Sequence, residues 1–104
     1  MHIITDKIDS NRIQTIKNRF SNQHFDVLYF NYFDEAVHLS IFQQQECKQR
    51  YTERFIENHR NILTPSNIII LDFQSVSNFW ALHDNIKNNE IEIFSFRNEE
   101  LRKL

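Results

Sequence analysis

Glycine is absent from the 104 residues of this chain. Phosphate-cradling loops, nucleophile turns and dinucleotide-binding fingerprints use glycine where the backbone takes a positive φ or approaches a ligand closely. The sequence therefore excludes these sites in their usual form. Turns that need a left-handed backbone must then use asparagine or aspartate. We expect such turns at the asparagine-rich junctions, which are Asn22, Asn61, Asn67, Asn88 and Asn89.

Cysteine and long apolar runs are also scarce. Cys47 is the one cysteine, so an intrachain disulfide is excluded and a reducing cytoplasm is the expected setting. The longest aliphatic run covers residues 68–71, whereas a membrane-spanning helix needs about 20 apolar residues. The first residues have neither the basic start nor the apolar stretch of a secretory signal. These features predict a cytoplasmic protein that does not contact a membrane.

Charge and histidine spacing narrow the class of ligand. The 12 basic and 14 acidic residues are dispersed, and the net charge is −2, so nucleic acid is not expected as a ligand. The five histidines and Cys47 show no paired ligand spacing, so neither a metal nor another cofactor is expected. Cys47, on the apolar side of its predicted helix, is expected to be buried. It lies roughly 18 Å from His59, at about 1.5 Å of rise per residue, too far to share a proton.

The hydrophobic content of 40%, with ten phenylalanines, supports one core, and we expect a single α/β domain over residues 1–104. Hydrophobic periodicity predicts a mixed sheet of four to five strands with helices packed on it. Before Pro65 the predicted elements are a strand at 2–8, a helix at 10–20, an aromatic strand at 25–33 and a helix at 43–61. A last helical turn is predicted over residues 98–104.

Two interpretations are open for residues 34–42. In the first, this segment is a strand that folds back on residues 25–33 as a hairpin around Asp34 and Glu35. The alternation of Val37, Leu39 and Ile41 with other residues favours this hairpin, which we expect. In the second, a helix begins at an Asp34 N-cap, because a two-residue hairpin turn normally contains glycine.

The clearest pattern follows Pro65. An aliphatic strand at 67–73, an amphipathic helix at 75–88 and a strand at 91–96 predict a βαβ unit with a right-handed crossover. Ser75 or Ser77 is the expected helix cap. Ligands in open α/β sheets bind outside the carboxyl ends of parallel strands. This rule selects Asp72, Ser75 and Ser95, together with Asp6 if the first strand is also parallel.

Residues 68–77 resemble part of the anti-sigma-antagonist (STAS) domains, in which an aliphatic strand that ends in aspartate leads into a helix. Ser77 and Asn78 stand near the point where that family often has Ser-Gly. Asp6 and Asp72 at strand ends also resemble a phospho-receiver pocket, with Arg97 in place of the family's lysine. These resemblances imply a regulatory switch domain with its site at Asp72 and Ser75. A small hydrolase or nuclease that uses dispersed histidines and acids is a third hypothesis.

The leading hypothesis is a non-catalytic module that binds another protein. Acids flank the aromatic segment 25–33, and exposed aromatics ringed by acids are typical of protein-binding patches. We expect a bacterial or phage-type inhibitor, an immunity protein or antitoxin, whose acids engage the basic active site of a toxin or nuclease. The predicted partner-binding residues are Asp26, Tyr29, Phe33, Asp34, Glu35 and Trp80.

Overall fold

Five strands and four helices make up the part of the chain that the computed structural model describes, which is residues 1–21, 23–97 and 100–104. The predicted α/β class with a mixed sheet is confirmed. In chain order the elements are β1 (His2–Thr5), α1 (Ser10–Arg19), β2 (Asp26–Tyr29), α2 (Phe33–Ala36), α3 (Ile41–Asn58), β3 (Ile68–Asp72), α4 (Val76–Ile86), β4 (Glu92–Arg97) and β5 (Glu100–Lys103).

The strand order of the sheet is β2-β1-β3-β4-β5. The first four of these strands are parallel, and β5 is antiparallel to β4. The chain moves from β1 to the β2 edge through α1 and then toward the opposite edge through α3 and α4. The strand order therefore reverses between β1 and β3, and β3-α4-β4 is the predicted βαβ unit.

Helices cover both faces of the sheet. Ile16 of α1 packs with Ile3 and Ile70 on one face, and Phe55 of α3 and Leu82 of α4 belong to the core on the other face. Successive residues of β3 contribute to the two cores in turn, which explains its continuous aliphatic sequence. The chain crosses the sheet in one direction through α1 and in the other direction through α3 and α4. Because these helices lie on opposite faces of the sheet, the crossovers between parallel strands all have the same handedness.

Side chains that precede the helices fix where the helices begin. Asp9 accepts hydrogen bonds from backbone N–H groups at the start of α1, and the hydroxyl of Ser75 accepts one at the start of α4. Ser40 and Gln43 form a reciprocal capping box, so α3 begins at Ile41, two residues before the predicted start. Of the two caps predicted for α4, Ser75 is the one used.

The predicted hairpin over residues 25–42 is wrong. Within it only Asp26–Tyr29 is a strand, and Phe33–Ala36 is a short helix. The alternative helical interpretation is closer, although this helix follows Tyr32 and not an Asp34 cap.

The capping box explains why the chain forms a helix from Ile41 onward and not the predicted strand. It satisfies backbone N–H groups at the start of an 18-residue helix, whereas a hairpin at Asp34 and Glu35 would need a turn that glycine normally makes. Val37 and Ile41, predicted on an apolar strand face, are consequently exposed.

The predicted helical turn at residues 98–104 is also wrong, because Glu100–Lys103 forms β5. Leu101 lies opposite Phe96 and packs against the core on the α1 side. The pairing also gives partners to the backbone groups of β4, which would otherwise be the edge strand. Asn98, part of that predicted turn, lies outside the described residues.

A glutamate takes the left-handed backbone conformation that the sequence assigned to asparagines. Glu90, between α4 and β4, has a φ of 59° and is the one residue with positive φ in the described ranges. The position of this turn follows from where α4 ends and β4 enters the sheet. The asparagines predicted for this role and described in the structure, at positions 61, 67, 88 and 89, do not adopt it, and Asn22 lies outside the described residues.

No helix in the described ranges combines the length and the hydropathy needed to cross a bilayer.

Candidate functional site

The crevice between the carboxyl ends of β1 and β3 is where a sheet of this order is expected to bind a ligand. Asp6 follows β1 and Asp72 ends β3, and each is only 8% exposed. The cleft beside Asp72 has a volume of about 200 Å³, whereas small-molecule sites usually have roughly 300–1,000 Å³. The geometry of the two carboxylates shows why the crevice is so small.

The carboxylate of Asp6 binds backbone N–H groups just before α4. Its Oδ1 accepts from the N–H of Gln74 and its Oδ2 from the N–H of Ser75, both at 2.8 Å. Backbone N–H groups at the start of a helix are the usual place for a bound phosphate or other anion. In this chain an internal carboxylate already occupies that position.

The buried side chain of Asn78 joins the ends of two strands to α4. Its Nδ2 donates to Oδ2 of Asp6 at 3.2 Å and to Oδ1 of Asn31 at 3.0 Å. Its Oδ1 accepts from the backbone N–H of Tyr32 at 3.2 Å, and the residue has no exposed surface. We call Asp6, Asn31, Asn78 and the backbone N–H of Tyr32 the Asn78 hub.

The Asn78 hub sets the position of α2. Tyr32 is buried, its hydroxyl is hydrogen-bonded to Ser77 of α4, and its ring stacks on Phe33 with 4.3 Å between centroids. Oδ1 of Asn31 also accepts from the backbone N–H of Phe33. Tyr32 and Ala36 are buried in the fold, whereas Phe33, Asp34 and Glu35 between them present their side chains outward.

Arg12 forms an ion pair with Asp72. Nε of Arg12 lies 3.2 Å from Oδ1 of Asp72, and its Nη2 donates to the carbonyl oxygen of Phe96 at 3.0 Å. The guanidinium carbon lies 4.2 Å from the centre of the Phe96 ring. Burial raises the pKa of Asp72, and the charge and hydrogen bond of Arg12 oppose that rise. Asp72 thus belongs to a contact that ties α1 to β3 and β4, and Ser75 is the cap of α4.

Five of the nine large hydrophobic side chains that are exposed in the described residues lie within residues 29–42, in or beside α2. None of residues 37–50 is buried, so the first half of α3 lies outside the core. Val37, Ile41 and Phe42 are 64%, 76% and 86% exposed. Together with their neighbours they form what we call the α2 surface, defined by Tyr29, Phe33, Asp34, Glu35, Val37, Ile41 and Phe42.

The two acidic residues of the α2 surface, Asp34 and Glu35, have different partners. Oε1 of Glu35 forms an ion pair at 2.8 Å with Arg54 of α3. Asp34 accepts a hydrogen bond from the neutral hydroxyl of Tyr29, and this bond raises the pKa of Tyr29. In the part of the chain that the structure describes, no cation pairs with Asp34, so its charge is not neutralised.

Four of the six predicted partner-binding residues lie in the α2 surface, and two lie elsewhere. Asp26 is at the other end of β2, where His24 contacts its carboxylate at 3.2 Å. Trp80 lines a groove between α4 and β5 with Ser95, Arg102 and Leu104. The predicted patch is therefore divided between opposite edges of the sheet.

Sequence reasoning missed the most exposed residues of the α2 surface. The alternating pattern predicts Val37 and Ile41 on an apolar strand face, whereas the Ser-x-x-Gln pattern from Ser40 to Gln43 is the signal that places Ile41 at the first position of a helix and Val37 in the turn before it. Cys47, predicted to be buried, is only half-buried, because the same half of α3 lies outside the core. No local pattern distinguishes Asn78 from an ordinary helix residue.

Among the residues described, no three histidine, cysteine, aspartate or glutamate side chains are grouped so that they could hold a metal ion. In comparisons with known proteins, the chain matches no family model, no curated protein and no solved structure.

The Asn78 hub predicts a large stability difference between two asparagines of α4. Asn78→Ala leaves the backbone N–H of buried Tyr32 without its acceptor and removes one hydrogen bond each from Asp6 and Asn31. We expect this to lower the free energy of unfolding by about 3 kcal/mol. Asn85→Ala is the matched control, because Asn85 donates to the carbonyl oxygen of Ala81 in its own helix and its replacement should change stability by no more than about 0.5 kcal/mol. Urea unfolding at pH 7 measures both, and equal losses in the two variants would refute the role of the hub.

The Arg12–Asp72 contact predicts a stability loss that depends on pH. The folded-state pKa of Asp72 lies above its unfolded value, so the ionised carboxylate is disfavoured in the fold, and this contribution to stability falls as the pH rises between the two pKa values. Arg12→Ala removes the opposing charge, and we expect a loss of about 2 kcal/mol at pH 8 that becomes smaller at pH 4.

Arg50→Ala is the control for that experiment, since Arg50 pairs with Glu46 and both side chains are exposed. Exposed pairs of this kind contribute at most about 0.5 kcal/mol. Denaturant unfolding curves of Arg12→Ala across this pH range should converge toward wild type at acid pH. A loss that stays constant from pH 4 to pH 8 would show that Arg12 does not compensate the buried charge.

Proposed function

We propose that this chain is a non-catalytic protein-binding module that inhibits a basic protein, such as a toxin or a nuclease, in the manner of an immunity protein or antitoxin. The binding site in this proposal is the α2 surface. The observation that carries it is the exposure of Val37, in the turn before α3, and of Ile41 and Phe42, at the start of α3, within a stretch that has no buried residue from 37 to 50.

The exposed apolar side chains of the α2 surface are a feature that is typical of a binding site. A soluble monomer rarely exposes a contiguous apolar patch larger than a few hundred Å², and such patches usually mark binding sites. Phe33 and Tyr29 add partly exposed aromatic rings to the α2 surface. A few side chains, with aromatic ones prominent among them, supply most of the binding energy at protein interfaces when they fill a partner's pocket.

The charge pattern supports a basic partner. Residues 37–45 contain no Asp, Glu, Lys or Arg, so the exposed apolar part is uncharged. The adjacent Asp34 carries the charge that no described cation neutralises. An apolar centre beside an uncompensated acid is complementary to an apolar pocket with a basic rim.

The crevice at the strand ends favours this proposal over a switch domain or an enzyme. Asp6 already occupies the anion position before α4, and Asp72 is buried against Arg12. A phosphorylated or ligand-binding aspartate would need an accessible carboxylate with room for the incoming group. The exposed α2 surface needs no such rearrangement.

The test is a matched pair of isoleucine variants. Tagged chain from its native host should form a 1:1 complex with a basic protein that can be purified, reconstituted and assayed for loss of its own activity. Ile41→Ala should weaken the reconstituted complex about 10-fold or more, whereas Ile8→Ala, an exposed isoleucine outside the α2 surface, should not. A complex that is equally sensitive to both variants, or a partner whose activity is unaffected, contradicts the proposal.

A second pair tests the charge. Asp34→Asn should slow association about threefold or more at low salt and leave dissociation nearly unchanged, because an acid that steers a basic partner acts on the encounter. Asp84→Asn is the control, because Asp84 is a surface acid on α4 that lies near Lys87. Stopped-flow association rates at two ionic strengths decide the question.

A further inference from the structure

The strand β5 forms one edge of the sheet, and β2 forms the opposite edge. The N–H of Leu104 donates to the carbonyl oxygen of Ile93 at 2.8 Å. Since inward and outward bonding alternates along an antiparallel strand, Leu101 and Lys103 direct their N–H and C=O groups away from β4. β5 therefore presents a row of backbone donors and acceptors that another strand could pair with.

Exposed apolar side chains lie beside this edge. Trp80 and Leu104 are 49% and 54% exposed, and they line a groove of about 210 Å³ with Arg102. A free strand edge next to an apolar groove is the arrangement that accepts an added β-strand. The sequence of β5 indicates which strand this is.

We propose that β5 pairs with β5 of a second copy of this chain, in antiparallel orientation, about a twofold axis that lies midway between the Leu101 residues of the two copies. Residues that lie opposite each other must point to the same face of the sheet, and only residues whose backbone groups point away from β4 can form hydrogen bonds across the interface. These two conditions allow three registers, with the axis at Leu101, Arg102 or Lys103. Centring the axis on Arg102 places two arginines opposite each other, and centring it on Lys103 places two lysines opposite each other. Both registers are disfavoured by like charge.

The register centred on Leu101 has complementary charges. Glu100 of each copy lies opposite Arg102 of the other, and the two leucines lie opposite each other. Within one strand Glu100 already pairs with Arg102 at 2.8 Å. The dimer therefore forms a ring of four alternating charges, and the Trp80 and Leu104 side chains of the two copies lie on the same face of the joined sheet.

The pairing is independent of the proposed inhibitor function. It uses β5, whereas the α2 surface lies near the β2 edge and stays exposed in both copies. An edge strand of four residues buries less than the roughly 1,200 Å² typical of stable interfaces, so the dimer is a weak, concentration-dependent one. The alternating charges also hinder pairing with unrelated strands.

A charge exchange tests the register. Sedimentation equilibrium of the purified chain up to 500 μM protein, about 6 g/l at 12.7 kDa, should show a monomer–dimer equilibrium. Arg102→Glu and Glu100→Arg each place like charges opposite each other and should each weaken the dimer at least 10-fold. The double variant Glu100→Arg/Arg102→Glu restores opposite charges and should return to within about threefold of wild type.

Trp80 gives a second readout, because it is the one tryptophan of the chain. Its emission should shift to shorter wavelength as the wild-type concentration rises, and the shift should disappear in Arg102→Glu. Arg50→Glu is the control for a general effect of reversed charge, and circular dichroism confirms that each variant is folded. A wild-type chain that is monomeric at every concentration, or a double variant that is as weak as the single ones, would overturn the pairing.

Discussion

The buried amide of Asn78 is the interaction on which the arrangement of this molecule depends. It binds the carboxylate that follows β1, the asparagine that follows β2 and the backbone at Tyr32, and it does so from α4. Without this amide, the buried N–H of Tyr32 would lose its acceptor and carry a desolvation penalty, and Asp6 and Asn31 would each lose one hydrogen bond. The hub therefore holds the loops at the carboxyl edge of the sheet in one geometry, and that geometry fixes where α2 begins.

The same part of the fold supports the proposal that the chain acts through its exterior. A sheet with this strand order normally keeps the crevice between β1 and β3 for a ligand, but here Asp6 binds the N–H groups that would hold an anion. The absence of glycine leads to the same conclusion, because the loops cannot approach a phosphate in the usual way. The α2 surface is exposed at one edge of the sheet and β5 at the other. We propose the first as the site for another protein and the second as the contact with another copy of the chain.

Sequence reasoning succeeded where burial on both faces fixes the pattern, and failed where caps and distant residues decide. The short, continuous aliphatic run from Ile68 to Leu71 is typical of a strand buried on both faces, so the βαβ unit was predictable. The alternation at residues 37–41 suggested a strand, but the Ser40 capping box decides for a helix, and Ile41 becomes exposed. Asp6, Asn31 and Asn78 are far apart in the sequence, and each has an ordinary local explanation as a cap or turn residue. Only the folded chain shows that they meet.

Amide hydrogen exchange tests the central claim most directly. Gln74 and Ser75 precede α4 outside any strand or helix, and Tyr32 lies in the connection before α2. Exposed loop amides exchange rapidly, whereas amides bonded within the most stable core exchange only by global unfolding. The account predicts that the amides of residues 32, 74 and 75 exchange as slowly as those of β3. Exchange at these three sites at the rate of an exposed loop would contradict it.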